Sequence, residues 1–335
     1  MVAKVTFEVG NCTECPFHDQ RHGIYCLKTD RLICKENEYA NVPGWCPFIL
    51  GTYEGFISDI LSSYDWRSYL NANTCNPKNL KNLVFNRGAA HAKNTIQQGC
   101  DFLDLLDQNS FGTFVYDGRT HSVERDKYLL TIAALVRDLG AYESRKKQAE
   151  NSAEIAEREF LSQSDFSDED KEIIIDAILN WQHGEILMRE FNETRRRLKS
   201  SRKKPVLDTK TAIKIALYLA DVLDVGKERV TERSYYACRF GHILYPLAES
   251  FKCVEKVELK LTHTKNVKNV MELHYTVNEG FDVDSLKLWP ELITIPRDVA
   301  KDFLGLRSFK FFVNNEEINL RRITSLVLSS DEDQT

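Results

Sequence analysis

Two groups of residues in this 335-residue chain have types and spacings suited to chemistry. The first is thiol-rich. Of nine cysteines, Cys12, Cys15, Cys26, Cys34 and Cys46 fall in the opening 50 residues, with His18 and His22 nearby. The arrangement C-x2-C, x10, C, x7, C, x11, C gives one tight pair and three further thiols, and Cys-Pro-Phe recurs at Cys15 and Cys46. Four of these five thiolates around a structural zinc ion would hold together a segment of ~50 residues that cannot enclose much apolar surface alone. An iron–sulfur cluster, redox thiols and unligated buried cysteines are the alternatives. The other four cysteines are scattered and read as core residues.

The second group lies at the end of an apolar stretch, LTIAALVRDLG, Leu130 to Gly140. Leu129, Ile132, Ala133, Val136 and Leu139 recur at helical spacing, and Leu130, Ala134 and Leu135 fill the other faces. The spacing predicts an enclosed helix that Gly140 stops, with Arg137 and Asp138 in its last turn. A carboxylate at the rim of such a core needs a cation, a metal or several donors.

Other elements must bring partners to Asp138. His91 lies in GAAHAKNTIQQG, within a helical pattern spanning Leu80 to Leu106. A SAEIA helix, Ser152 to Ala156, follows the charged pair. IIIDAILNWQHG ends at His183-Gly184, and Asp221 and Asp224 lie three apart on a helix from Lys210 to Val225, in YLADVLDVGKERV. From about residue 85 to 230 this order resembles the HD superfamily of metal-dependent phosphohydrolases, in which an apolar run is followed by His-Asp, an apolar residue and Gly. Arg137 stands where that pattern has His, and Gln148 where many relatives carry another His.

The resemblance implies a mainly α protein with an HD-like helical domain. It also implies that His91, Asp138 and Asp221, with His183 contributing, hold one divalent metal that activates water beside a phosphate. Asp138 and Arg137 are the candidate catalytic residues. A guanidinium stays protonated and has no lone pair for a metal. Two arrangements follow. Arg137 pairs bidentately with Asp138 and leaves a metal-free pocket able to hold phosphate, or it turns away and the remaining four residues keep one ion.

Around this centre the chain divides into a Cys-rich module (1–50), the HD-like helical domain (51–250), a small α+β module (251–325) and an acidic tail (326–335). Arg195, Arg196 and Arg197 open a run of seven basic residues to Lys204, a candidate phosphate or nucleic-acid contact whose bland alternative is a solvated loop. From Phe251 the apolar period becomes 2. Val257, Leu259 and Leu261, then Met271, Leu273, Tyr275 and Val277, predict a hairpin. Pro296 starts a short helix closed by Gly305, and Asn314-Asn315 turns a second hairpin between Phe309–Val313 and Ile318–Ile323.

Composition bounds the rest. With 42% hydrophobic and 28% charged residues, and a formal charge of −5, the chain has no global attraction to nucleic acid or an anionic membrane. No apolar run approaches the ~20 residues of a membrane span, and MVAKVTFEVG lacks a secretory h-region, so the expected location is the cytoplasm and no membrane partner is expected. No GxxxxGK[ST], GxGxxG or GxSxG constellation is present. The sequence reads as a degenerate HD-type protein binding a nucleotide, nucleic acid or protein partner with weak or no hydrolysis. The alternative is an active phosphohydrolase on a nucleotide or related phosphate ester.

Overall fold

The computed structural model describes residues 89–108, 114–116, 123–142, 147–164, 166–198, 204–230, 245–262, 270–306 and 308–320, with three backbone pairs nearer the start. Those pairs form a small antiparallel sheet, β1 (His18–Asp19), β2 (Tyr25–Cys26) and β3 (Arg31–Leu32), in that order. Cys12, Cys15, Cys34 and Cys46, the Cys26 side chain and hence the zinc expectation lie outside the described residues.

The described chain is mainly helical, with a small sheet near its C-terminal end. The helices are α1 (Ala89–Gln108), α2 (Val123–Val136), α3 (Gln148–Ile155), α4 (Asp168–Asn180), α5 (Gly184–Leu198) and α6 (Thr209–Leu223). The apolar run of α2 is sealed on every side: Leu129, Leu130, Ile132, Ala133 and Val136 are all fully buried. The helix ends at Val136, earlier than the sequence pattern suggests. Arg137 and Asp138 therefore lie in a turn just beyond it, although the Arg137 amide still donates to Ala133 O at 2.9 Å.

Local signals start the other helices. Ser167 caps α4 by accepting from the Asp170 amide, and Asp168, Glu169 and Asp170 complement the helix dipole. Asp208 caps α6 through the Thr211 amide at 2.7 Å. Gly184, which looks like a terminator in sequence, instead begins α5. A Cβ there would stand 2.1 Å from Tyr218 Cδ1, so glycine permits close approach to α6.

Between α1 and α2 lies a short strand, β4 (Val115–Tyr116). It pairs in parallel with β5 (Val206–Leu207), directly before α6. Beneath this pair Tyr116 donates to Asp126 Oδ2 at 2.5 Å and Thr209 donates to the same oxygen at 3.2 Å. Burial pushes the Asp126 carboxyl up to about 7, against the opposing hydrogen bonds and Arg125.

Helix α7 (Tyr245–Cys253) leads into β6 (Val254–Thr262), which pairs antiparallel with β7 (Val270–Val277) as the expected hairpin, with Val257 opposite Tyr275 and Leu259 opposite Leu273. Strand β8 (Ser308–Val313) joins β7 in parallel, and β9 (Glu316–Ile318) closes the order β6-β7-β8-β9. Asn314 and Asn315 both have positive φ, 47° and 69°, which fits the tight turn predicted there. The β7–β8 crossover contains α8 (Glu291–Asp298), which starts five residues before the expected Pro296. Pro296 sits inside the helix, where its missing N–H removes one ladder bond, and the chain continues as a wider π turn over Val299–Phe303 before Gly305 (φ 71°) ends it. One apolar cluster continues from α1 and α2 into the inner face of this sheet.

Candidate functional site

Four of the candidates meet. Helix α1 contributes His91, the turn after α2 contributes Arg137 and Asp138, and α6 contributes Asp221. Arg137 points inward and is the largest fully buried side chain described, at 0% exposure. Its Nη2 donates to Asp221 Oδ1 at 2.9 Å and to Thr95 Oγ1 at 3.2 Å, and lies 2.8 Å from His91 Nε2. Its Nε is 3.5 Å from Asp138 Oδ2, so the expected bidentate Arg137–Asp138 pair is not formed; Asp221 is the nearer carboxylate. Trp181 covers the guanidinium, with Cζ 4.5 Å from the ring centroid, a cation–π arrangement in a water-poor site.

Three residues not singled out as ligands complete the cluster. Asp224, fully buried just past α6, lies 2.5 Å from His91 Nδ1 and accepts from Asn94 Nδ2 at 2.9 Å. Arg229, in the 3-10 turn Lys227–Arg229, reaches Asp224 Oδ2 at 3.3 Å. Gln148 donates through Nε2 to Asp138 Oδ1.

The SAEIA helix fixes the turn. Ser152 Oγ donates to the Arg137 carbonyl at 2.7 Å and accepts from the Gly140 amide at 2.8 Å. A Cβ on Gly140 would fall 2.4 Å from the Ser152 amide nitrogen, so only glycine lets this turn dock on α3.

Asp138, Asp221 and Asp224 face the two guanidiniums of Arg137 and Arg229. A proton on His91 brings the charges into balance. Burial and the Arg229 charge lower the His91 pKa, but hydrogen bonds with Asp138, Asp221 and Asp224 outweigh them and hold it above the ordinary imidazole value. His91 Nδ1 lies 2.5 Å from Asp224 Oδ2 and 2.7 Å from Arg229 Nη1, while Nε2 lies 2.8 Å from Arg137 Nη2. When protonated, the ring donates from Nε2 toward Asp221 Oδ1, 3.2 Å away.

The donor set contains metal-ligand chemistry, but its centre is filled by a cation that cannot coordinate. Among the described residues no group of three or more His, Cys, Asp or Glu side chains is arranged to hold a metal ion. The residues therefore do not fit a resident divalent ion while Arg137 occupies this position.

His183 does not join the cluster. It is exposed at the end of the 3-10 turn Trp181–His183, and its neighbour Trp181 is the residue that turns inward. The basic run also divides. Arg195 is half-buried and turned to the fold, donating to Asn192 Oδ1 at 2.7 Å and to the Phe303 and Asp302 carbonyls at 3.1 Å. Arg196 and Arg197 are exposed, Arg197 lying 3.7 Å from Glu193.

Beside the cluster lies a groove of about 360 Å³ between α1, residues 223–226 and β6. Asn94, Gln97 and Gln98 line one wall, and Asp101, Asp224, Glu255, Lys256 and Glu258 contribute charge. Asp224 belongs to both places, with Oδ2 turned to His91 and Oδ1 to Asn94. Among the described residues no helix is long and apolar enough to cross a membrane. No protein-family model matches the chain, and no curated protein matches it.

Proposed function

We propose that this chain is a degenerate HD-type protein that binds a nucleotide, nucleic acid or protein partner without appreciable hydrolysis. The observation that carries the reading is the Arg137 guanidinium at the meeting point of His91, Asp138 and Asp221. Phosphate-ester hydrolysis at neutral pH needs an activated water beside phosphorus, supplied by a metal or by a base with a free lone pair. Here each candidate base is engaged: His91 between Asp224 and Arg137, Asp138 by Gln148, and Asp221 by Arg137.

The adjacent groove supports a binding role. Three carboxylates, Asp101, Glu255 and Glu258, against Lys256 disfavour a bare phosphate and favour a ligand presenting N–H donors. A basic or amide-bearing segment of a protein partner meets that requirement best among the three partner classes. Nucleic acid would instead have to use the exposed Arg196 and Arg197.

The test is a panel of nucleotides, phosphate esters, oligonucleotides and basic peptides, assayed for turnover with added Mn²⁺ and for thermal stabilisation of the full chain. Stabilisation without turnover is expected. A ligand at 100 times its Kd adds about 2.7 kcal/mol, a readily measured rise in melting temperature. Metal-dependent turnover by the wild-type chain that a folded Asp138→Ala variant loses would overturn the reading in favour of the phosphohydrolase alternative.

A further inference from the structure

The two edges of the C-terminal sheet are not alike. Strand β9 ends it on one side with three residues, of which Glu316 and Glu317 are exposed, so that edge is short and charged and offers little to a neighbouring strand. On the other side β6 runs for nine residues, and among the described residues no strand pairs with its outer edge. A bulge between Val254 and Lys256 sets off its beginning from the rest.

The hydrogen bonds of β7 fix which groups β6 turns outward. Tyr275 O accepts from the Asn314 amide at 2.9 Å, on the β8 side, so Tyr275 turns its main chain away from β6. Val257, directly opposite Tyr275, therefore turns its own N–H and C=O outward. Gln98 of α1 agrees with this, donating to Val257 O at 2.9 Å. By the two-residue alternation of an antiparallel strand, Leu259 and Leu261 also point both main-chain groups outward, and among the described residues nothing bonds to them there.

The side chains beside those groups select a partner. Lys256, Glu258 and Lys260 share the face away from the core, with Glu258 Oε1 2.7 Å from Lys256 Nζ and Oε2 3.4 Å from Lys260 Nζ. A second β6 laid parallel and in register would set lysine against lysine and glutamate against glutamate, which is destabilising. Laid antiparallel about Leu259, it sets Leu259 against its own counterpart, Val257 against Leu261, and Glu258 against Lys260 in two symmetric opposite-charge pairs. Lys256 then meets the uncharged Thr262. Centring the pair on Glu258 or Lys260 again opposes like charges, and centring it on Val257 requires the carbonyl that Gln98 already holds.

We propose that β6 is a self-association edge, pairing antiparallel with β6 of a second copy about a two-fold axis at Leu259. The two Leu259 residues exchange their N–H···O bonds, and each Val257 N–H donates to Leu261 O of the other copy, while Gln98 keeps Val257 O. One sheet then runs through both copies. His91, Arg137, Asp138 and Asp221 take no part, so the pairing is judged separately from the non-hydrolytic reading.

Sedimentation velocity of the full-length chain, over a micromolar concentration series in reducing buffer, tests the pairing. Wild type, Lys256→Glu, Glu258→Lys, Lys260→Glu and the swapped Glu258→Lys/Lys260→Glu are compared, with circular dichroism confirming that these surface variants are folded. Wild type and Lys256→Glu should dimerise reversibly. Glu258→Lys and Lys260→Glu each oppose like charges at both symmetric pairs and should raise the dissociation constant roughly ten-fold or more. The swapped variant restores opposite signs and with them the dimer, and the two single variants, complementary to each other, should associate when mixed. A wild-type chain that stays monomeric throughout the series overturns the proposal. So does a dimer that the single variants leave unchanged, or one that the swap does not restore.

Discussion

Replacing Arg137 by methionine tests whether the guanidinium is what makes the buried carboxylates tolerable. Methionine keeps an unbranched stem against Trp181 but removes the charge and the bonds to His91, Thr95 and Asp221. Asp138, Asp221 and Asp224 would then keep Arg229 and His91 beside them but lose the guanidinium between them. Stripping one partner from a buried ion cluster typically costs about 3–5 kcal/mol, because the remaining charges stay desolvated. The Asp221 side chain keeps 18% exposure and can regain some water, which places the expected loss near the lower end of that range. Equilibrium urea unfolding, followed by tryptophan fluorescence, measures the change as a lower midpoint at unchanged slope. Adding Asp221→Leu should recover part of the loss, a coupling of roughly 0.5–3 kcal/mol between the two sites. A single variant within about 1 kcal/mol of wild type would refute the argument, since that is the range of an ordinary surface pair.

Two further outcomes follow from side chains outside the cluster. Asp126 should make stability fall as pH rises. Its carboxyl holds a proton up to about 7 when folded, against an ordinary carboxyl value of 3.8, so the folded state binds the extra proton between those limits. The full penalty, present above pH 7, is about 4 kcal/mol from three pKa units, and Asp126→Asn should flatten the urea-midpoint profile over that window. His91, also raised, adds a slope of the same sign above 6.5 that this variant leaves in place. A wild-type midpoint independent of pH from 4 to 7 would remove the Asp126 account. Arg195→Ala should lower stability by about 1–3 kcal/mol, through loss of its three bonds to Asn192, Asp302 and Phe303, whereas Arg196→Ala should leave it unchanged. Equal effects in thermal melts would show that the two arginines are not divided between fold and solvent.

The legibility of the fold followed the length of each signal. The apolar stripe of α2, the first hairpin and the Asn314-Asn315 turn repeat a pattern over several residues, and local sterics enforce it. Strands β4 and β5 have two residues each and pair across about 90 positions, so neither carries a period. Pro296 misled because proline is favoured at a first helical turn. Here the run from Glu291 is held against the core by Leu292, Ile293 and Ile295, and that packing tolerates the missing N–H. At the site, His91, Asp138 and Asp221 were readable from their order. Asp224 was not, because three-residue spacing from Asp221 looks like a shared surface face. The chain leaves α6 at Asp224, and His91 and Arg229 close over that carboxylate.

The direction of Arg137 depends on residues that are unremarkable singly: an imidazole from α1, a carboxylate from α6 and an indole after α4. Only their convergence makes the inward position favourable. Arg137 and Gln148 also act as a pair. Asp138 presents two oxygens to a buried space; Gln148 donates to Oδ1, while Arg137 and His91 lie beside Oδ2. Without Gln148, Oδ1 would lose that donor; without Arg137, Asp138 and Asp221 would lose the guanidinium between them, leaving Arg229 beside Asp224. Each meets a requirement that the other leaves open, so Arg137 and Gln148 together satisfy the buried Asp138 carboxyl.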